Sequence, residues 1–131
     1  MSDADVELIR AMFEVFNRGG VDAALPYFDE EVEWIAPPDW LYDPIYRGHE
    51  GLRRLASQWT AIFDDYQLLP QRFLPADDHL VVLITQRGRM KPSGDLIEQP
   101  IGYNWHIRDG KTVRVKVHFS WEAALEEAGL S

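Results

Sequence analysis

The acidic side chain best placed for chemistry is that of Asp39, which lies in a segment rich in aromatic residues. Trp34 precedes it and Trp40 follows it directly. A carboxyl group among rings is suited to act as a general acid or base in proton transfer. The alternative is a solvated loop acid, because Pro37 and Pro38 end any regular strand just before it. Asp39 is therefore a candidate catalytic residue.

Tyr103 and Arg87 are the next candidates. The Tyr103 hydroxyl can donate a hydrogen bond to a ligand carbonyl or to a developing oxyanion, which makes it a candidate catalytic residue. A buried tyrosine bonded to another protein group would give the same pattern. Arg87 is a candidate ligand-binding cation, and the alternative is a surface ion pair with Glu98 on the adjacent strand, which would contribute little.

Large rings at five further positions are candidate walls of a ligand pocket. Small-molecule pockets are mostly apolar and carry only a few polar groups, and such rings suit one. A filled aromatic core is the alternative explanation. The five candidate ligand-binding residues are Trp34, Trp40, Tyr46, Trp59 and Trp105.

Linear motifs for metals, nucleotides and covalent catalysis are missing from the sequence. Cysteine is absent, and the four histidines do not fall at the spacing of a metal-binding helix. The glycines form neither a dinucleotide fingerprint nor a phosphate-binding loop, and no serine lies in a nucleophile elbow. We therefore expect no cofactor, no metal ligands and no covalent intermediate.

The composition favours one domain spanning residues 1–131. Apolar residues make up 46% of the chain, which is enough for one core. A net charge of −9 would repel nucleic acid and anionic lipid, and no apolar run approaches the roughly 18–20 residues of a membrane span. The first residues do not resemble a secretory signal. We therefore expect a cytoplasmic protein without nucleic-acid or membrane partners.

Hydrophobic periodicity changes along the chain from helical to alternating. Helical spacing predicts a helix from residue 6 to a stop at 17–20, a short helix at 22–28 and a clear amphipathic helix at 48–64. Strands are predicted at 31–36, 67–74, 80–89, 96–108 and 112–119, and residues 39–47 are expected to be irregular. Ser120 is the predicted N-cap of a last short helix that ends at Gly129. This order predicts an α+β fold with helices on one face of a curved, mostly antiparallel sheet.

The last hairpin gives a prediction about which side chains face the helices. A two-residue turn at Asp109 and Gly110 would place apolar residues of one strand opposite basic residues of the other. We therefore predict a three-residue loop with Gly110 in the left-handed conformation, which pairs Tyr103 with Val115. Tyr103 and Trp105 then face the helices. The remaining strip faces away from them: Asn104, His106, Arg114, Lys116 and His118.

Four short runs, taken in order, resemble one family. They are YRGHEGL at 46–52, FDDY at 63–66 after Trp59, WHIRDGK at 105–111 and AALEEAGL at 123–130. Together they resemble the SnoaL-like branch of the nuclear-transport-factor-2-like superfamily. The resemblance implies a cone-shaped sheet that encloses a pocket, with the aromatic segment around Asp39 over its mouth, and a homodimer.

The resemblance narrows the chemistry without fixing it, because members include steroid isomerases, polyketide cyclases, dehydratases and epoxide hydrolases. The positions of the isomerase catalytic groups fall on Met12, Trp34 or Ile35, and Tyr103, and none matches. Our leading hypothesis is a protein that binds a small apolar or polycyclic molecule, with any catalysis being cofactor-free proton transfer in an isomerase, cyclase, dehydratase or hydrolase. The alternative is a non-catalytic dimeric domain with a binding or interaction role.

Overall fold

A computed structural model describes residues 3–130, in which helices pack on one curved, unclosed sheet of six strands. In chain order the elements are α1 Asp3–Ala24, a 3-10 turn Leu25–Tyr27, β1 Phe28–Ile35, β2 Ile45–Arg47, α2 Gly48–Ile62, β3 Phe63–Pro75, β4 Leu80–Met90, β5 Leu96–Arg108, β6 Lys111–His118 and α3 Trp121–Glu127. The strand order in the sheet is β2-β1-β6-β5-β4-β3. Strands β1 and β6 run parallel, and every other neighbouring pair is antiparallel. The α+β prediction is confirmed.

The sheet separates two apolar clusters of very different size. The main core lies between the concave face and the helices α1 and α2, and it contains Leu80, Val82 and Ile84 from β4. The intervening residues Val81 and Leu83 point to the other face, where α3 covers them. Successive side chains of β4 therefore contribute alternately to the main core and to the smaller cluster under α3.

The last hairpin reaches the predicted orientation by a different route. Arg108 pairs with Lys111 across a two-residue turn, in which Asp109 and Gly110 both have positive φ, at 53° and 75°. Such a turn matches the twist of the strands. The register shift comes instead from an irregularity in β6 beyond Thr112, so that Trp105 pairs with Val115 and Tyr103 with Val117. The three-residue loop and its Tyr103–Val115 pair were wrong, and Tyr103 lies in the main core as predicted.

The N-terminal region follows the prediction at its first break and differs after it. Gly20 has a non-helical backbone, with φ 80° and ψ −169°, so α1 consists of two helical segments separated by a kink within the predicted stop at 17–20. The predicted helix at 22–28 is replaced by the end of α1 and a 3-10 turn around Pro26, after which Phe28 begins β1. The short strand β2 was not predicted. None of the helices between residues 3 and 130 is both long enough and apolar enough to cross a bilayer.

Asn17 ties α1 to the edge strand β3. Its side-chain nitrogen donates to the Leu68 carbonyl at 2.8 Å, and its side-chain oxygen accepts from the Leu68 N–H at 2.9 Å. The amide thus supplies the pairing that an edge strand lacks on its outer side. This contact fixes the position of β3 two residues from Tyr66, which becomes important below.

We expect Asn17→Ala to lower the free energy of unfolding by about 1–3 kcal/mol, because it removes two hydrogen bonds and leaves part-buried backbone groups unsatisfied. Urea unfolding measured by circular dichroism tests this. Glu14→Ala, on an exposed position of the same helix, is the matched control and should change stability by less than about 0.5 kcal/mol. Equal stability of the two variants would contradict the role given to Asn17.

Candidate ligand-binding site

An apolar cavity of about 80 Å³ lies between the concave face of the sheet and the two N-terminal helices. Phe16 on α1 and Trp59 on α2 form part of its helical wall. The sheet contributes the rings of Trp34, Tyr66 and Tyr103. The predicted amphipathic stripe of α2 therefore supplies one wall of a hollow.

The size of the cavity limits what it holds in this conformation. An apolar cavity of roughly 150 Å³ accommodates one benzene molecule, so about 80 Å³ leaves room for a smaller group. Phe16, Trp59 and Phe119 line the cavity and are only partly buried. A ligand with a ring therefore requires these side chains to move outward, and a polycyclic ligand requires a larger movement.

The Tyr103 hydroxyl is the first polar group of the cavity. The side chain is only 3% exposed and is packed by Phe13, Trp34 and Trp105. Within residues 3–130, no hydrogen bond joins this hydroxyl to another protein group. Burial raises the pKa of Tyr103 well above its ordinary value, with a smaller contribution from Tyr66. The group is thus a neutral donor that a ligand oxygen would satisfy.

The Tyr66 hydroxyl is the second polar group, and a short chain of amides orients it. Gln99 donates to the side-chain oxygen of Gln86, and the Gln86 nitrogen donates to the Tyr66 hydroxyl oxygen at 2.5 Å. Because that oxygen already accepts a bond, the hydroxyl proton is available for a ligand. Burial raises the pKa of Tyr66, and the bond from Gln86 lowers it by less. Both tyrosines are therefore protonated donors at neutral pH.

An open hollow adjoins the cavity, and we call it the vestibule. Four residues line both spaces: Phe16, Val21, Ala56 and Tyr66. The rim of the vestibule is charged, and it includes Arg53, which forms ion pairs with Asp22 and Glu50. A ligand entering between α1 and α2 would pass Ala56 and Tyr66 before it reached Tyr103.

Three of the eight candidate site residues line the cavity: Trp34, Trp59 and Tyr103. Trp34 packs edge-on against Tyr103, with centroids 5.4 Å apart. Trp59 stacks on Tyr66 at 5.8 Å and 13°, and it extends the aromatic wall toward the vestibule. These placements agree with a pocket wall made of rings.

Trp40 and Tyr46 lie one layer behind that wall. Trp40 stacks on Trp59 at 4.5 Å, and its indole N–H donates to the Tyr46 hydroxyl at 2.7 Å. The Tyr46 hydroxyl in turn donates to Gln58 on α2. Their rings support Trp59, and the polar atoms are engaged with each other, because the segment after β1 folds back on α2.

Trp105 and Arg87 lie outside the cavity for different reasons. Trp105 is fully buried in the main core, and its indole N–H donates to Thr112 at 2.8 Å. Arg87 points to solvent from β4. Its Nε lies 3.8 Å from Oε2 of Glu98, which is its register partner on β5. The surface ion pair considered from the sequence is the arrangement found. An exposed pair of this kind contributes little to stability.

Asp39 is exposed and is not among the cavity-lining residues. The Trp40 N–H donates to the Pro37 carbonyl at 3.0 Å, which closes a tight turn with Asp39 at its tip. The turn directs Trp40 toward α2 and leaves the carboxylate outside. The geometry brings no support to Asp39 as the internal acid or base.

Tyr66 and Gln86 are the site residues that the sequence analysis missed. Gln86 continues the inward series Leu80, Val82 and Ile84 at every second position, so a polar residue in an apolar register was the available signal. Tyr66 was overlooked because the predicted strand began one residue after it, whereas β3 begins at Phe63.

Residues 9–115 match the SnoaL-like domain family. The chain belongs to this family. A comparison of the chain with curated proteins finds no match. The fold described above, in which helices close one side of a curved sheet, is therefore the fold of a SnoaL-like domain.

Solved structures share the fold of this SnoaL-like domain. TerC, co-crystallised with polyporic acid, is 23% identical with a TM-score of 0.78, and the alignment covers 98% of this chain and 100% of TerC. An NTF2-like protein of unknown function from Burkholderia pseudomallei is 20% identical with a TM-score of 0.78, covering 98% of each chain. A protein with a ketosteroid isomerase-like fold from Catenulispora acidiphila, in complex with trimethylamine, is 14% identical with a TM-score of 0.74, covering 95% and 94%.

Proposed function

We propose that this SnoaL-like domain is a cytoplasmic protein that binds a small, mainly apolar molecule carrying an acceptor oxygen such as a carbonyl. The observation that carries this is an aromatic cavity lined by the buried side chain of Tyr103, whose hydroxyl forms no hydrogen bond within residues 3–130, and by Tyr66, whose hydroxyl Gln86 leaves free to donate. A few polar groups in an apolar hollow are typical of ligand sites. The small-molecule ligands crystallised with TerC and with the Catenulispora protein are in keeping with such a role.

Two neutral donors in one cavity would also favour proton-transfer chemistry if both reached the same ligand oxygen. They would stabilise the negative charge that develops on a carbonyl oxygen when a neighbouring proton leaves, as in isomerisation, cyclisation or dehydration. Such a reaction also needs a base. Among the described residues, the cavity lining includes no carboxylate and no imidazole. The base would therefore be water from the vestibule or a group of the substrate.

The missing base favours the second candidate function, which is binding without turnover. A homodimer formed through the outer face belongs to that alternative. In this structure α3 covers part of the outward strip, since Asn104 is buried and both Lys116 and His118 contact Glu127. Sedimentation as a monomer at micromolar concentration would exclude the dimer and leave the binding proposal intact.

We expect Ala56→Phe to weaken ligand binding at least tenfold, because a ring at this position fills the passage between vestibule and cavity. Cyclohexanone is a suitable probe, and tryptophan fluorescence reports its binding, since Trp34 and Trp59 line the cavity. Ala61→Phe adds the same ring at an exposed position of the same helix and should bind normally. Unchanged affinity in Ala56→Phe would place the ligand elsewhere and refute the proposed site.

A further inference from the structure

Two histidines meet on the outer face of the sheet, away from the cavity. His79 immediately precedes β4 and His106 lies on β5, next to the register pair Leu80 and Trp105. Leu80 and Trp105 point into the main core, so the adjacent residues point to the opposite side. The two imidazole rings stack with their centroids 4.7 Å apart and their planes at 19°. No linear motif reveals this pair, because the pairing of β4 with β5 creates it.

The hydrogen bonds of His79 leave one ring nitrogen facing a carboxylate. Its Nε2 contacts the side-chain oxygen of Asn104, whose nitrogen is committed to the Ala124 carbonyl at 3.2 Å. That oxygen can only accept, so His79 Nε2 carries a proton. The other nitrogen, Nδ1, lies 2.8 Å from Oδ1 of Asp78. In the tautomer with Nε2–H, the Nδ1 lone pair faces this carboxylate, and a cation held between the two would be a shared partner.

We propose that Asp78, His79 and His106 bind a divalent transition-metal ion of the zinc class. One ligand atom from each residue lies within 4.8 Å of the others. Two imidazole nitrogens and one carboxylate oxygen are donors that Zn²⁺, Ni²⁺ and Cu²⁺ accept, whereas Mg²⁺ and Ca²⁺ prefer oxygen alone. In a tetrahedral zinc site the ligand atoms are about 3.3 Å apart. Rotation of the exposed Asp78 and the half-buried His106 supplies the required contraction, and water takes the fourth position.

The charged groups around the pair balance one another. Asp78 and Glu127 are acidic, and Arg114 on β6 is the register partner of His106. Lys116 is the second base, and it pairs with Glu127. Two acids therefore face two bases, and no net positive charge repels a cation from the site.

Isothermal titration calorimetry tests the proposal: the metal-free full chain is titrated with ZnCl₂ at pH 7.5 and the heat of binding is measured. We expect one equivalent of zinc to bind, and we expect His106→Gln to weaken binding tenfold or more. Asp78→Asn, at an exposed position that the fold tolerates, should also weaken it. His118→Gln is the matched control, because His118 lies on the same face and contacts Glu127 at 3.4 Å. It should bind zinc as the unaltered chain does.

Three results would overturn the proposal. Absence of zinc binding to the unaltered chain would mean that a proton alone is the shared cation. Normal binding by both His106→Gln and Asp78→Asn would place the ion elsewhere. An equal loss in His118→Gln would assign the ion to His118 and Glu127. In NMR spectra, zinc should shift the imidazole signals of His79 and His106 and leave those of His49 in place.

Discussion

Replacing both cavity tyrosines by phenylalanine should weaken the binding of cyclohexanone about 10- to 100-fold and leave the binding of methylcyclohexane unchanged. Each neutral hydrogen bond contributes about 0.5–1.5 kcal/mol, and the variant Tyr66→Phe/Tyr103→Phe removes two of them. The two probes have equal numbers of non-hydrogen atoms and differ in the carbonyl oxygen. Their affinity ratio therefore isolates hydrogen bonding from apolar contact. Fluorescence titration of both probes gives that ratio.

The matched control for this pair is Tyr42→Phe, since Tyr42 is half exposed and lies outside the cavity. Its affinity ratio should equal that of the unaltered chain. Burial raises the pKa values of Tyr66 and Tyr103 above their ordinary value of 10.0, so both hydroxyls stay protonated between pH 6 and pH 9. Affinity for cyclohexanone should be constant across that range. A ratio that persists in the double variant would remove the tyrosines from the site.

Gly102→Ala should lower the free energy of unfolding by about 1–3 kcal/mol, which is the typical cost of overpacking a filled core. A Cβ atom at Gly102 would lie 2.6 Å from the Cβ of Ala124 and 3.0 Å from the Ser120 carbonyl oxygen. Both neighbours are buried or part-buried against β5, and the carbonyl belongs to the backbone. The helix α3 must therefore move away from the sheet. Urea unfolding measures the loss.

A double-mutant cycle separates this clash from a general effect of alanine in β5. Ala124→Gly removes the nearest contact, so the double variant Gly102→Ala/Ala124→Gly should be more stable than the sum of the two single changes predicts, by about 0.5–3 kcal/mol. Rescue stays partial, because the Ser120 carbonyl remains close. Simple additivity of the two losses would show that α3 does not dock through Gly102.

The fold was predictable from the sequence wherever the hydrophobic period was long and regular. Strand β5 was predicted with its observed bounds, and α2 was predicted to within two residues. Strand β2 was missed because three residues are too few to show alternation, and they pair only through β1. The register of the last hairpin depended on a bulge in β6 that restores alternation after a favourable turn. The two-residue turn at Asp109 and Gly110 formed because its backbone conformation is favourable, and the bulge in β6 corrected the facing of the side chains. The sequence alone does not show that a bulge can take over the role of a longer loop.

The cavity-lining residues were predictable where the regular spacing of a strand or helix sets the direction of an aromatic side chain. Tyr103, Trp34 and Trp59 line the cavity because alternation or helical spacing directs them inward. Asp39 is exposed and outside the cavity lining, and its direction depends on a turn of irregular backbone, which no periodic pattern predicts. Trp40, Tyr46 and Trp105 show that a ring on the inner side fills a second layer as easily as it lines a cavity, and only packing in three dimensions decides which.

The parallel pair of β1 and β6 has a consequence for the order in which the protein acquires its structure. Strands β3 to β6 form consecutive antiparallel neighbours, so their contacts close short loops. Trp34 on β1 pairs with Val115 on β6, and this contact closes a loop that spans most of the chain. Long-range closure slows folding. On the ribosome, the N-terminal third must therefore wait for the last strand to emerge, and we expect its docking to be the late event of folding.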